Sequence, residues 1–340
     1  MHKSVLREKL FNVTKIPTDV TEHIHNERWL QIWVPKNYGG LGLSFVNGLK
    51  QLKLFAEIDG SFGWMITLCA GANYFSRNLK PHVAKELFND TKNCFGGSGA
   101  ICGTAEQLND TFLINGQWIY ATGAPYLSHF TLNAVVTKNN TPVLKEDGTQ
   151  LVKSFIIPKT AVEIIADWKG MGMQATGTYS FKVENIIVTE DFSFSYDIFY
   201  TDSILDKIPF RVFADLTLLV NYLGMAAHFV EEAEKIRPQL DVENIRNYLS
   251  SEENQTYLFA DKIETLLEEN QEISAEMQTE IHQFGEQLVS NVSHNILDLY
   301  FQLGIRASHT KEPIHQIFSD YFTATQHVNF RIKKQTPTMF

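Results

Sequence analysis

Near the end of the 340-residue chain, Gln316, Asp320, Thr323 and His327 recur at spacings of 4, 3 and 4. That spacing sets all four on one face of a helix. Two of them carry chemistry. An imidazole titrates near neutrality, so His327 suits proton transfer, and Asp320 in the same stripe can help manage that proton. A second set lies within Phe95–Val136, where Tyr120, Thr122 and Gly123 bring together an aromatic, a hydroxyl and a flexible backbone. This is equipment for holding a flat ring, and on a regular strand residues i and i+2 share a face. Asn73 or Tyr74, late on an apolar helix, is a third polar candidate, able to hydrogen-bond a substrate. His23 with His25, and His309 with His315, lack carboxylates at ligand spacing, so no metal site is expected. Neither a phosphate-cradling Gly loop nor a G-x-S-x-G elbow is present.

The elements that must hold these residues follow from periodicity. Residues 1–92 read as helical, broken by Pro35-Lys36-Asn37-Tyr38-Gly39-Gly40-Leu41-Gly42, where clustered glycines admit left-handed backbone. Asp59 or Ser61 is placed to cap the next buried helix. Between 93 and 200 the period changes to two. Strands are expected at Phe112–Ile114, Trp118–Ala121, Phe130–Thr137, Leu151–Ile157, Ala161–Ile165 and Tyr179–Val188, with Asn115-Gly116 as a hairpin turn. Residues 201–340 return to helix. A central helix carries Phe213, Leu216, Val220, Leu223 and Ala227, and a long stripe runs from Ile281 to Leu303. Pro313 opens a last helix whose seam is Ile314, Ile317, Tyr321, Ala324 and Val328.

Composition narrows the function. A formal charge of −10 without a basic stripe argues against a nucleic-acid partner. No apolar run reaches the length of a membrane span and the N-terminus lacks a secretory pattern, so a soluble cytoplasmic protein is expected. Cys69, Cys94 and Cys102 lack CxxC spacing and read as small buried apolar residues.

Three stretches resemble the acyl-CoA dehydrogenase superfamily: Pro35–Gly42, the strand Gly116–Gly123, and Trp168-Lys169-Gly170-Met171-Gly172-Met173-Gln174-Ala175-Thr176-Gly177-Thr178. The resemblance covers most of the chain. It implies an α+β fold of N-terminal helical domain (1–92), middle β-barrel or sandwich domain (93–200) and C-terminal helical bundle (201–340). It implies a flavin, FAD or FMN, contacted by Ser98, Tyr120, Thr122, Gly123, Trp168, Thr176 and Arg211, and a homotetramer. The spacing Asp320 to His327 is similar to that of the superfamily's flavin-dependent monooxygenase branch, in which R-x-x-R-D precedes a His by seven residues. The Arg positions here are Gln316 and Ser319, and Gln174 also stands where Arg is usual. In that branch the His serves as substrate base or supports the oxygenated flavin.

The expected function is therefore a two-component flavin monooxygenase acting on a small apolar or aromatic substrate, with His327, Asp320 and Asn73 in catalytic roles and a separate flavin reductase as partner. One alternative is an FAD-dependent acyl-CoA dehydrogenase. By resemblance it needs a carboxylate base either in a Y-x-G loop near the C-terminus, and no such loop follows Pro313, or on the first C-terminal helix, where this chain has Ala214 with Asp215 beside it. The other is a non-catalytic relative that has lost its flavin, since the missing Arg residues leave a phosphate uncompensated.

Overall fold

A computed structural model of the chain describes residues 1–331. Five helices come first: α1 (Lys3–Leu10), α2 (Thr18–Asn26), α3 (Phe45–Ile58), α4 (Gly60–Asn73) and α5 (Pro81–Phe88). Eight strands follow: β1 (Phe95–Leu108), β2 (Thr111–Ala121), β3 (His129–Lys138), β4 (Thr141–Pro142), β5 (Val152–Pro158), β6 (Glu163–Ile165), β7 (Tyr179–Thr189) and β8 (Ser193–Phe194). The chain then returns to helix in α6 (Phe210–Ile236), α7 (Glu243–Glu268), α8 (Ala275–Leu303) and α9 (Pro313–Ala324). Caps explain several boundaries. The Asp59 side chain accepts from Phe62 N at the start of α4, Ser274 caps α8, and Pro81 and Pro313 occupy the first turns of α5 and α9.

The strands form one mixed sheet in the order β6-β7-β2-β1-β3-β5-β8, with β4 paired to β3. Only β1 and β3 run parallel. Phe112 of β2 meets Phe155 of β5, and Phe130 of β3 meets Phe181 of β7. Those strands are not neighbours, so the sheet folds over its own buried face. Helices α4 and α6 lie antiparallel at the centre. Trp64, early on α4, meets Tyr222 at the middle of α6, while Gly71, late on α4, faces Phe213 near the start of α6.

Four expectations are corrected. Asn115-Gly116 is not a turn; it lies inside β2, at an irregularity opposite Asn185, whose N–H donates to the Asn115 side chain. Gly116 is there because a Cβ would sit 2.7 Å from the Trp118 ring and from Gly103 Cα. The hairpin turns at Asn109-Asp110, with Asn109 at φ 55°. Cys102 is exposed, unlike Cys69 and Cys94. Helix α6 is long and apolar enough to cross a membrane, but 89% of its most apolar stretch is buried within the protein, as in a core helix. Val328 falls beyond α9 and is exposed.

Candidate active site

A cleft opens in the sheet where two strands part. The β1–β2 register ends at Gly103 opposite Gly116; beyond it β1 pairs with β3 and β2 with β7. Residues 98–102 form one wall and 119–123 the other. Ser98 is half-buried on the first wall, and a Cβ at Gly99 would meet nothing within 4 Å. On the second wall a bulge between Trp118 and Ala121 holds Tyr120 at φ 63° and leaves it 65% exposed. A bulky residue in the left-handed region costs about 1–2 kcal/mol, and here the cost presents an aromatic ring to the cleft. The bulge also breaks the strand alternation, so Tyr120 and Thr122 do not share a face as expected. Thr122 is 7% exposed and its hydroxyl is 3.1 Å from that of Thr178. Gly123, at φ 84°, turns the chain against α4, where a Cβ would lie 2.7 Å from Cys69 Sγ.

The loop after β6 closes one end of the cleft. Trp168 stands edge-on to Tyr120 with ring centroids 6.4 Å apart, and its Nε1 donates to Met173 O. Thr176 is corrected as a direct contact. It is fully buried, and its hydroxyl bonds Met173 O at 2.8 Å and Thr178 at 2.7 Å, so it supports Thr122 through Thr178. The Gln174 amide turns back onto Gly170 O and supplies nothing outward. Arg211 is exposed in the first turn of α6 and makes no ion pair among the described residues.

Asp320 is also relocated. It does not line an open site; it is 2% exposed, accepts from Met173 N at 2.5 Å, and lies 3.5 Å from Ser61 Oγ. It thereby ties α9 to both the loop and the start of α4. Gly172 lies against the Ser319–Asp320 backbone with no room for a Cβ. Asp59 is close by, its Oδ2 taking the Gln316 amide at 2.6 Å. Burial, with the neighbouring Asp59 charge, holds the Asp320 pKa well above the usual carboxylate range, and burial pushes Asp59 up to about 6. Asn73 is corrected as well. Its amide donates to Leu30 O and its carbonyl accepts from Phe95 N, both at 2.8 Å, so it fixes the start of β1, and at 0% exposure it presents nothing to a substrate.

His327 lies at the other end of α4. Its ring meets the edge of Trp64 at 5.5 Å, and burial pulls its pKa below the ordinary value, so it is neutral near pH 7. From Trp64 the same face of α4 continues through Leu68 to Gly71. Leu68 and Gly71 are incompletely buried, as is Ala214 on α6. Beyond this apolar groove, Phe75 lines a cavity of about 180 Å³ together with Tyr74, Tyr196, Phe210, Asp206 and Lys207. Asp215 points elsewhere, to His282 and Asn329. Among the described residues no cluster of His, Cys, Asp or Glu could hold a metal.

Sheet cleft and helix groove share α4 as a wall, with Cys69 against Thr122 on one side and His327 at the Trp64 end of the other. Chains of known structure share this architecture. The 3-HSA hydroxylase from Rhodococcus sp. RHA1 superposes with a TM-score of 0.86 over 96% of this chain and 90% of that one, at 19% identity. XiaF from Streptomyces sp., solved in complex with FADH2 and glycerol, gives 0.84 over 96% and 87%, at 17% identity. In sequence, the indole-3-acetate monooxygenase of Acinetobacter baumannii is 24% identical over 229 residues, 67% of this chain and 57% of that protein. The chain spans about half the length of the curated relatives it matches, and no family model matches it. The chain has the acyl-CoA dehydrogenase-like fold, the fold of flavin-dependent monooxygenase oxygenase subunits.

Proposed function

We propose that this chain is the oxygenase of a two-component flavin monooxygenase, acting on a small apolar or aromatic substrate with reduced FAD or FMN delivered by a separate reductase. The observation that carries the reading is the meeting of the sheet cleft with the apolar groove along α4, with neutral His327 at the groove's end. The residues present fit a flavin: Tyr120 offers an exposed ring beside a cleft left open at Gly99, and exposed Arg211, which makes no ion pair among the described residues, offers a cation to a phosphate. When bound, reduced flavin supplies the two electrons with which dioxygen is split, one atom entering the substrate and the other leaving as water. Tyr120, Ser98 and Gly123 orient the ring, while Trp64, Leu68, Phe75 and Phe213 exclude water from the groove. His327 Nδ1 accepts from Asn329 N at 3.4 Å, which puts the imidazole proton on Nε2. His327 therefore handles the reaction's proton at Nε2.

The acyl-CoA dehydrogenase reading lacks its base. Ala214 stands at the expected position and both Asp215 oxygens are engaged. We also propose a cytoplasmic location and a homotetramer, the assembly alone being supported by the exposed Met171, Ile187, Phe301 and Ile305. The test mixes the protein anaerobically with reduced FAD or FMN, adds oxygen with a small aromatic such as indole, and measures oxygenated product against hydrogen peroxide. Product in excess of peroxide supports the reading. Failure to bind flavin in either redox state refutes it and leaves a non-catalytic relative.

A further inference from the structure

The segment after α9 forms a hook over the bundle, and its inner side is anchored to two residues that the oxygenation chemistry leaves unassigned. Asn329 Nδ2 donates to Asp215 Oδ1 at 2.5 Å, and His282 Nδ1 lies 3.1 Å from Asp215 Oδ2. The next residue, Phe330, is 1% exposed, stacks on the His282 ring at 5.6 Å and 29°, and lies on Gly285 with no room for a Cβ. Asp215 is fully buried. A carboxylate in that setting is held by its donors, and it has two from different elements, α8 and the hook. Two residues earlier on the hook, the Asn329 backbone N–H donates to His327 Nδ1. One end of Asn329 thus grips α6 while the other addresses the imidazole.

We propose that Asp215 and His282 are positioning residues that, through Asn329, set which ring nitrogen of His327 carries the proton. The proposal rests on the proton-handling role given to His327 above. With Asn329 gripped, its N–H is aimed at Nδ1, which must then be the unprotonated acceptor, and Nε2 keeps the hydrogen. Released, Asn329 no longer selects between the two neutral tautomers. The arrangement matches the general case in which a group hydrogen-bonded behind a histidine fixes its tautomer and ring orientation.

The experiment is long-range 15N–1H correlation NMR on deuterated, 15N-histidine-labelled protein, with the His327 signals identified by their loss in His327→Gln. The natural chain shows His327 as the Nε2–H tautomer. Asp215→Ala and Asn329→Ala shift it to a mixture, and product yield falls about tenfold. Asp215→Asn retains an oxygen for Asn329 and restores Nε2–H. Asn329→Ala and Asn329→Asp, at a half-buried site, give the same reading if the Asp215 variants do not fold. An unchanged tautomer in these variants overturns the proposal. If the tautomer shifts while His327→Gln leaves oxygenation unaffected, the positioning stands and the role of His327 falls instead.

Discussion

At the scale of single residues, Tyr120 and His327 make opposite demands. Tyr120 buries little and holds a backbone conformation natural to glycine. Tyr120→Gly removes about 1–2 kcal/mol of strain and adds about 0.5–1 kcal/mol of unfolded-chain entropy. The expected result is a urea midpoint nearly unchanged with flavin binding clearly weakened in a fluorescence titration. A packing role would produce the reverse. His327→Ala leaves flavin binding intact and lowers product formation by about 10²–10⁴-fold, with hydrogen peroxide released in its place. Parallel product and peroxide assays separate these outcomes.

Among elements, the junction of α4, α9 and the loop after β6 is held by two carboxyl groups, Asp59 and Asp320, which take hydrogen bonds from Phe62 N, the Gln316 amide and Met173 N and make no ion pair among the described residues. Both pKa values are raised, so the folded state binds protons that the unfolded chain releases. The Asp59 contribution is full below about pH 4 and is lost as pH rises through about 6, a shift worth about 3 kcal/mol; that of Asp320, raised further by burial and the Asp59 charge, is likewise full below about pH 4 and lost as pH rises. Asp320→Asn keeps an oxygen for Met173 N and removes one titration. It is expected to be more stable than the natural chain at pH 8 by about 1–3 kcal/mol and similar at about pH 4, as read from urea unfolding at both values. Glu231 acts in the opposite sense. Its hydrogen bonds from Arg7 bring it down to about 2, giving stability that is present above about pH 4.5 and lost as pH falls through about 2. What sequence reveals of these elements depends on how local their causes are. The Asp59 cap and Pro313 were readable because a helix start is decided within four residues. Strand β1 was not, because its glycines erase the alternation that marks a strand. Asn-Gly at 115–116 gave a turn signal, but the Trp118 ring packed on Gly116 decides the matter. The contacts of Asp215 span 67 and 114 residues, and no spacing rule reaches that far.

At the scale of the whole molecule, the apolar residues left outward predict association. Light scattering is expected to give about four times the 38.8 kDa of one chain. Joint replacement of Phe301 and Ile305, 77% and 80% exposed, by Glu is expected to yield a smaller species. A monomeric natural chain contradicts this assembly. The placement of Asp320 has a consequence for making hybrids of such proteins. Crossovers between the sheet and the helices would be the obvious cut points, yet this one side chain binds residue 61 on one side and residue 173 on the other. A chimera that inherits Asp59–Ser61, Gly172–Met173 and Gln316–Asp320 from different parents would bring together a carboxylate and donors that had never been matched. Parts that look exchangeable are therefore inherited as one block, and recombinant libraries that keep those three short segments from one parent should yield most of the folded members.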